Sequence, residues 1–227
     1  MKKLIIFGNG ELAELAAFYF KFEQNIDTVG FVIDGENLKE QTFLNKSIIP
    51  LEEVEKKFSN ETYDFHIAIS YGGLNKNREK KFNEINKMNY KFKNFISRNS
   101  FISPKVKLFG KNLFILENQV IQNNVEIYDN VMIWSGNHIG HASKIFSHSY
   151  ISSHCVISGH CEIGERCFVG VNTSMADFTS IGRDTFVGMS SSISGKIKED
   201  STVVGKKSEI FEAESKFNKI LKKKYFG

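Results

Sequence analysis

An aliphatic residue recurs every six positions from Ile115 to Ile193, and few folds accommodate that pattern. The series runs Ile115, Ile121, Ile127, Ile133, Ile139, Ile145, Ile151, Ile157, Ile163, Val169, Met175, Ile181, Val187 and Ile193. A helix repeats every ~3.6 residues and a strand every ~2, so neither explains it. A β-helical solenoid does, because each hexad is then one short strand plus a corner. A second column, four positions after the aliphatic, holds small or β-branched residues: Asn137, Ser143, Ser149, Cys155, Cys161, Cys167, Thr173, Thr179, Thr185 and Ser191. Glycine often follows the aliphatic directly, at Gly140, Gly164, Gly170, Gly182 and Gly188. Both features suit tight corners.

Three hexads make a triangular coil, so residues eighteen apart should stack. One interior ladder is then Ile127, Ile145, Ile163, Ile181, and a second Ile133, Ile151, Val169, Val187. The third is Ile121, Ile139, Ile157, Met175, Ile193. Each coil buries its aliphatics only against its neighbours. Ile102 and Leu108 are out of phase by one residue, which predicts a slip near Leu113–Phe114.

The first hundred residues follow another rule. Residues 2–7 read as a short apolar strand, Gly8-Asn9-Gly10 as a turn, and Glu11–Phe22 as a helix. A second strand, Thr28–Ile33, ends at Asp34-Gly35. Strand, glycine-rich turn, helix, strand and acid is a Rossmann-like order. Glycines there let backbone N–H groups approach a phosphate, and Asp34 stands where an acid can accept a ribose hydroxyl. The third glycine of the dinucleotide fingerprint is replaced by Ala13, so a merely structural turn remains the other reading. Leu51–Phe58 reads as a helix, Asp64–Ser70 as a strand, Asn75–Lys87 as a basic helix and Tyr90–Ile96 as a last strand. Lys76, Arg78, Lys80 and Lys81 either face phosphates or form a solvated helix face.

At 227 residues the chain suits more than one domain. Residues 1–98 form the expected α/β Rossmann-like nucleotide-sugar-binding domain, 99–210 the β-helix and 211–227 a basic helical tail. No apolar run approaches the ~18 residues that span a membrane. The apolar start is cut by Gly8-Asn9-Gly10, unlike a signal peptide, so a cytoplasmic location is expected. The net charge of +4 owes much to Lys222-Lys223-Lys224, which reads as a solvated terminal helix. Basic residues are not interleaved with aromatics, so no nucleic-acid partner is expected.

Cys155, Cys161 and Cys167 lie on successive faces of a triangular coil, so they should neither stack nor pair. Buried small hydrophobes are the expectation. Five of the six histidines fall within His138–His160. His148, His154 and His160 share one register and should point outward, whereas His138 and His141 differ in register. No two histidines are five apart, as in the β-helical carbonic anhydrases, and no metal is expected.

Gly8-Asn9-Gly10-Glu11, Asp34, a basic helix and hexads carrying Asn137-His138-Ile139-Gly140-His141 together resemble one group. They are similar to the left-handed β-helix sugar acyltransferases of the sialic-acid O-acetyltransferase type. That group includes N-acetyltransferases of nucleotide-linked amino sugars for surface glycans. The resemblance implies a homotrimer with acetyl-CoA in the groove between solenoids, and no metal. It implies a histidine general base that takes a proton from the attacking sugar amine, suited by an ordinary imidazole pKa of about 6.5. Register places that base on His141. The bacillosamine-type relatives follow this histidine with an orienting acid, where this chain has Ala142. They carry a second histidine near the thioester carbonyl, where this chain has Tyr150. By the same resemblance Tyr150, Gly159, Gly170, Val171, Gly188, Met189 and Lys206 contact the cofactor. Asn9, Gly10, Asp34, Ser70, Tyr71, Asn137 and His138 contact the substrate, a nucleotide-linked 4-amino-4,6-dideoxyhexose. O-acetylation of sialic acid or another sugar is the alternative enzyme. A non-catalytic or metal-binding trimeric β-helix is the alternative outside catalysis.

Overall fold

The computed structural model describes residues 3–227. The front of the chain folds into β1 (Lys3–Phe7), α1 (Glu11–Gln24), β2 (Thr28–Ile33), β3 (Thr42–Phe43), β4 (Lys46–Pro50), α2 (Val54–Lys57), β5 (Tyr63–Ile67), α3 (Lys76–Lys87) and β6 (Lys91–Phe92). These strands form one sheet in the order β3-β4-β2-β1-β5-β6, parallel apart from the β3–β4 hairpin. Strand β1 lies at its centre with every residue from Leu4 to Phe7 buried, which is why it reads as an unbroken apolar run. Leu4 and Ile6 face α1, through Ala13, Ala16 and Phe20, and the solenoid beyond it. Ile5 and Phe7 face α2 and α3, through Val54, Phe82 and Ile85. Helix α1 stops where Asn25 turns left-handed (φ 54°) and its N–H caps the carbonyl of Lys21.

Nineteen two-residue strands follow, from β7 (Phe95–Ile96) to β25 (Thr202–Val203). They stack into three parallel sheets of seven, six and six strands, the faces of a triangular prism. The ladders pair as the hexads predict: Ile127 with Ile145, Ile145 with Ile163, and Ile163 with Ile181. Each interior aliphatic from Ile115 to Val187 is at most 2% exposed. Burying one such side chain contributes roughly 1.5–3 kcal/mol. The corners are left-handed, at Asn124, Asn130, Ala142, His148, His154, His160 and onward, with φ near +60°. At each of these but Asn124, the corner N–H donates to a carbonyl one coil earlier, as His160 does to His141 at 2.8 Å.

The slip lies slightly upstream of its expected place. Phe109 and Gly110 both donate to the carbonyl of Ile127, a bulge that makes the first coil one residue longer than the rest. The last coil is two residues short, because a turn at Gly195 (φ 74°) brings Ile197 beside Ile181.

Three local expectations change. Residues 51–58 form a 3₁₀ turn and a single α-turn rather than a full helix. Strand β5 ends at Ile67 instead of Ser70. The run 90–96 splits at Asn94, whose side chain bonds Gly110 and Leu113, so β6 closes the front sheet while β7 opens the solenoid. The β3–β4 hairpin had no sequence reading.

Helix α3 locks the two parts together, and it is not merely a solvated basic face. Arg78 is buried, its Nη2 donating to the carbonyls of His148 (2.7 Å) and Ser149 (3.2 Å). Asn75 bonds the carbonyls of Arg166 and Cys167. Arg166 forks onto Asp184 at 2.7 and 2.9 Å and reaches Glu79 on α3 at 3.0 Å. His148 therefore departs from the outward expectation. It is buried under α3, edge-on to Phe82, with Nδ1 3.0 Å from Asn130 Nδ2. Burial, then Arg78 and Arg166, lower its pKa to about 4 and keep the ring neutral.

Candidate active site

A cleft of about 1240 Å³ opens at the carboxyl ends of β1, β2 and β5, where doubly wound sheets take ligands. Asn9, Gly10, Asp34, Ser70 and Tyr71 all line it. Gly8 holds the turn at φ 125°, and a Cβ there would lie 2.6 Å from the Ala68 carbonyl. Nothing stands within 4 Å of a Cβ on Gly10, so its backbone is open to a ligand. Glu11 also lines the cleft beside the α1 N-terminus and works against an anion there. The cations facing the cleft are Lys80 and Lys81. Lys81 is paired with Asp34 and with Glu84 (2.8 Å). Burial opposes the Lys81 charge, but the two carboxylates outweigh it and raise its pKa. Asp34 is thereby held at the cleft wall.

The far wall comes from the solenoid and is aromatic. Trp134 and Tyr150 line it, and Tyr71 lies edge-on over Tyr150 and Phe168, with ring centres 5.2 and 4.9 Å apart. Tyr150, Phe168 and Phe186 stack along one outer face. Tyr150, expected among the cofactor contacts, therefore stands with the expected substrate contacts. Burial pushes its hydroxyl up to about 12, so it stays protonated near neutral pH.

His141 occupies a corner between β14 (His138–Ile139) and β15 (Lys144–Ile145), on another side of the prism. Its ring is exposed and no residue of this corner lines the cleft. Gln122, one coil earlier, is the polar side chain beside it. Its Oε1 accepts the His141 backbone N–H at 3.0 Å and lies 3.4 Å from Nδ1. Beneath the ring is Gly159, where a Cβ would come within 2.6 Å of His141 Cε1. Gly159 donates its own N–H to Asp177 at 2.9 Å. His160 stands edge-on to His141, and Phe178 stacks on His160.

The other expected contacts are spread along the solenoid. Val171 and Met189 are exposed, 38% and 66%, on corners of successive coils. Gly170 and Gly188 precede them, and a Cβ on Gly170 would press within 2.6 Å of Met189 N. Lys206 is exposed beyond Gly205. His138 is half-buried on β14 between Val120 and Val156. Asn137 differs from its expected role, because it faces the solenoid interior. Its Oδ1 accepts Cys155 N–H at 2.7 Å and its Nδ2 bonds the Trp134 carbonyl, so both ends of the amide are used.

The three thiols are buried and unpaired, with Sγ 3.1–3.2 Å from the carbonyls of Gly170, Ala176 and Gly182. Burial pushes Cys155 and Cys167 up to about 11, which disfavours thiolate nucleophiles. Among the described residues no cluster of three His, Cys, Asp or Glu could hold a metal ion.

Sequence reasoning missed Gln122, Lys81's pairing and the Trp134–Tyr150 wall. Tyr150, Phe168 and Phe186 repeat at eighteen, so that signal was present. Gln122 lies nineteen before His141 and gave no such cue.

No protein-family model and no curated protein sequence matches the chain. Solved structures do. The acetyltransferase domain of PglB from Neisseria gonorrhoeae aligns at 20% identity, over 90% of this chain and 97% of that one, with a TM-score of 0.79. A histidine-to-asparagine variant of perosamine N-acetyltransferase from Caulobacter crescentus, bound to CoA and GDP-perosamine, aligns at 18% identity over 90% and 94%, with a TM-score of 0.80. WeeI from Acinetobacter baumannii aligns at 16% identity over 90% and 97%, with a TM-score of 0.63. Front sheet and solenoid together, this chain has the fold of the left-handed β-helix sugar N-acetyltransferases.

Proposed function

We propose that the protein transfers an acetyl group from acetyl-CoA to the amine of a nucleotide-linked amino sugar, with His141 as general base. The observation that carries this reading is His141 itself, an exposed imidazole whose Nδ1 side faces the Gln122 carbonyl. A proton on Nδ1 is favoured by that acceptor, leaving the Nε2 lone pair to work. The shared fold with proteins whose crystals hold CoA and GDP-perosamine supports the choice of ligands.

In the proposed reaction the sugar amine attacks the thioester carbonyl carbon, forming the C–N bond. His141 Nε2 takes the proton that the nitrogen loses. Collapse of the tetrahedral intermediate breaks the C–S bond, and the proton passes to the departing sulfur, giving free CoA thiol. No acyl-enzyme forms, consistent with three buried thiols.

The nucleotide is assigned to the cleft, with Asp34 toward the ribose and Lys80 toward phosphate. Tyr71, Trp134 and Tyr150 form its apolar wall. The cleft and His141 lie apart in one chain, which supports a homotrimer in which one copy's cleft meets a neighbour's solenoid corner. Acetyl-CoA is assigned to the groove between solenoids, along Gly159, Gly170, Val171, Gly188, Met189 and Lys206.

The test is a panel of nucleotide-linked amino sugars, including a 4-amino-4,6-dideoxyhexose, incubated with acetyl-CoA while free thiol is monitored. Turnover with at least one member is expected. Turnover only with free sialic acid would move the assignment to O-acetylation, and turnover with no acceptor would leave a non-catalytic scaffold.

A further inference from the structure

We infer that helix α4 (Lys216–Phe226) docks on an anionic membrane surface. The helix is locally well specified: Ser215 caps it, its Oγ accepting the Asn218 N–H at 3.0 Å. None of its residues is buried and none belongs to a hydrophobic cluster of the body. Yet it carries large apolar side chains. Phe217, Ile220, Leu221 and Tyr225 fall on one stripe, and Phe217, Ile220 and Tyr225 are 51%, 52% and 66% exposed. Phe211 packs on Phe217, with ring centres 4.6 Å apart, and extends that face. A helix this short is marginal in water unless its apolar face is covered.

Charge decides what covers it. The helix holds Lys216, Lys219, Lys222, Lys223 and Lys224 and no acid. At ~100° per residue, Lys216 and Lys223 flank one edge of the apolar stripe and Lys222 lies beyond the other. Lys224 falls within the stripe, where its long stem can reach outward to headgroups. Residues 206–227 contain seven lysines and three glutamates, a net +4, which equals the net charge of the whole chain. The remaining 205 residues are therefore neutral in sum. A compact body of balanced charge with one short, cationic, apolar-faced helix matches the interfacial pattern: apolar insertion plus attraction to anionic lipid. The described helices include none long and apolar enough to cross a membrane, so this docking is peripheral.

Vesicle co-sedimentation tests it. The full chain is mixed with phosphatidylcholine vesicles and with vesicles that also contain phosphatidylglycerol. Binding only to the anionic vesicles is expected, and raised salt should weaken it. Replacing Lys222, Lys223 and Lys224 with Gln should weaken binding on the order of 100-fold, at about a kcal/mol per lysine. Phe217→Ala with Ile220→Ala should weaken it with charge unchanged. Helix α4 touches neither cleft nor His141 corner, so thiol release with soluble substrates should be unaffected. No binding to anionic vesicles, or equal binding to both kinds, would overturn the inference. So would concentration-dependent self-association abolished by Ile220→Asp without vesicle binding, which would assign the face to a second copy.

Discussion

Replacing Gln122 tests how the candidate base is positioned. One oxygen, Gln122 Oε1, faces two donors of His141: the backbone N–H at 3.0 Å and Nδ1 at 3.4 Å. His141 is exposed, so water replaces the backbone bond in Gln122→Ala, and the stability cost stays at or below about 1 kcal/mol. That corresponds to a melting shift of about 2–4 °C for a chain of this size. The catalytic cost is different in kind. Without the acceptor, nothing favours the tautomer with Nε2 unprotonated or holds the ring over Gly159. A neutral hydrogen bond of about 1 kcal/mol sets a loss of roughly fivefold in kcat/KM. Gln122→Glu should retain activity and move the acid limb of the kcat/KM profile to higher pH. A carboxylate beside Nδ1 stabilises the imidazolium, so the base stays protonated to higher pH. The assay is thiol release across pH with both substrates subsaturating. Gln122→Ala within about twofold of the parent, together with an unmoved acid limb in Gln122→Glu, would refute the positioning role.

Three further outcomes follow from the same geometry. His66 is fully buried between Phe20 and Phe114, and burial lowers its pKa to about 4. Its unfolded value is about 6.5, so the unfolded chain binds more protons between those limits and stability must fall as pH drops through that window. His148 shares this window, so urea melts should show the two histidines together losing on the order of 3 kcal/mol each, and a flat profile would contradict their neutral burial. Asp34→Ala should raise KM for the nucleotide-linked sugar by roughly 10–100-fold while KM for acetyl-CoA stays put, as read from initial rates. The buried thiols should resist iodoacetamide in the native state at mildly alkaline pH and react only on unfolding; rapid native labelling seen by mass spectrometry would contradict their placement.

The solenoid was legible because one constraint repeats. Every interior position asks for the same aliphatic, and stacking at eighteen turns the list into a set of strand pairs. The phase of Ile102 and Leu108 betrayed the slip at Gly110 but not its exact place, while the shortened turn at Gly195 had no sequence reading. What the repeat cannot register is a second body packed on it. Corner residues point outward by register, yet α3 covers His148, and Arg78 enters the interface though Lys76 and Lys80 on the same helix are solvated. The same gap hid the site's polar detail. Asn137 looked available beside His138 and His141, but its amide is used on backbone, its Oδ1 accepting the Cys155 N–H one coil on. Gln122 became visible only once side-chain direction placed it across the coil from His141. In the front sheet, the turn Gly8-Asn9-Gly10 and Asp34 were readable from strand and helix order, whereas Lys81, which holds Asp34, comes from 47 residues away.

The central claim rests on His141, and His141→Asn tests it most directly. The residue is exposed and its ring packs only at the surface, over Gly159 and edge-on to His160, so the variant should fold and melt close to the parent. With an accepted nucleotide-linked amino sugar and acetyl-CoA, thiol release should fall by roughly 10²–10⁴-fold, the usual worth of a general base. A loss under about tenfold in a well-folded variant would contradict the assignment of the base.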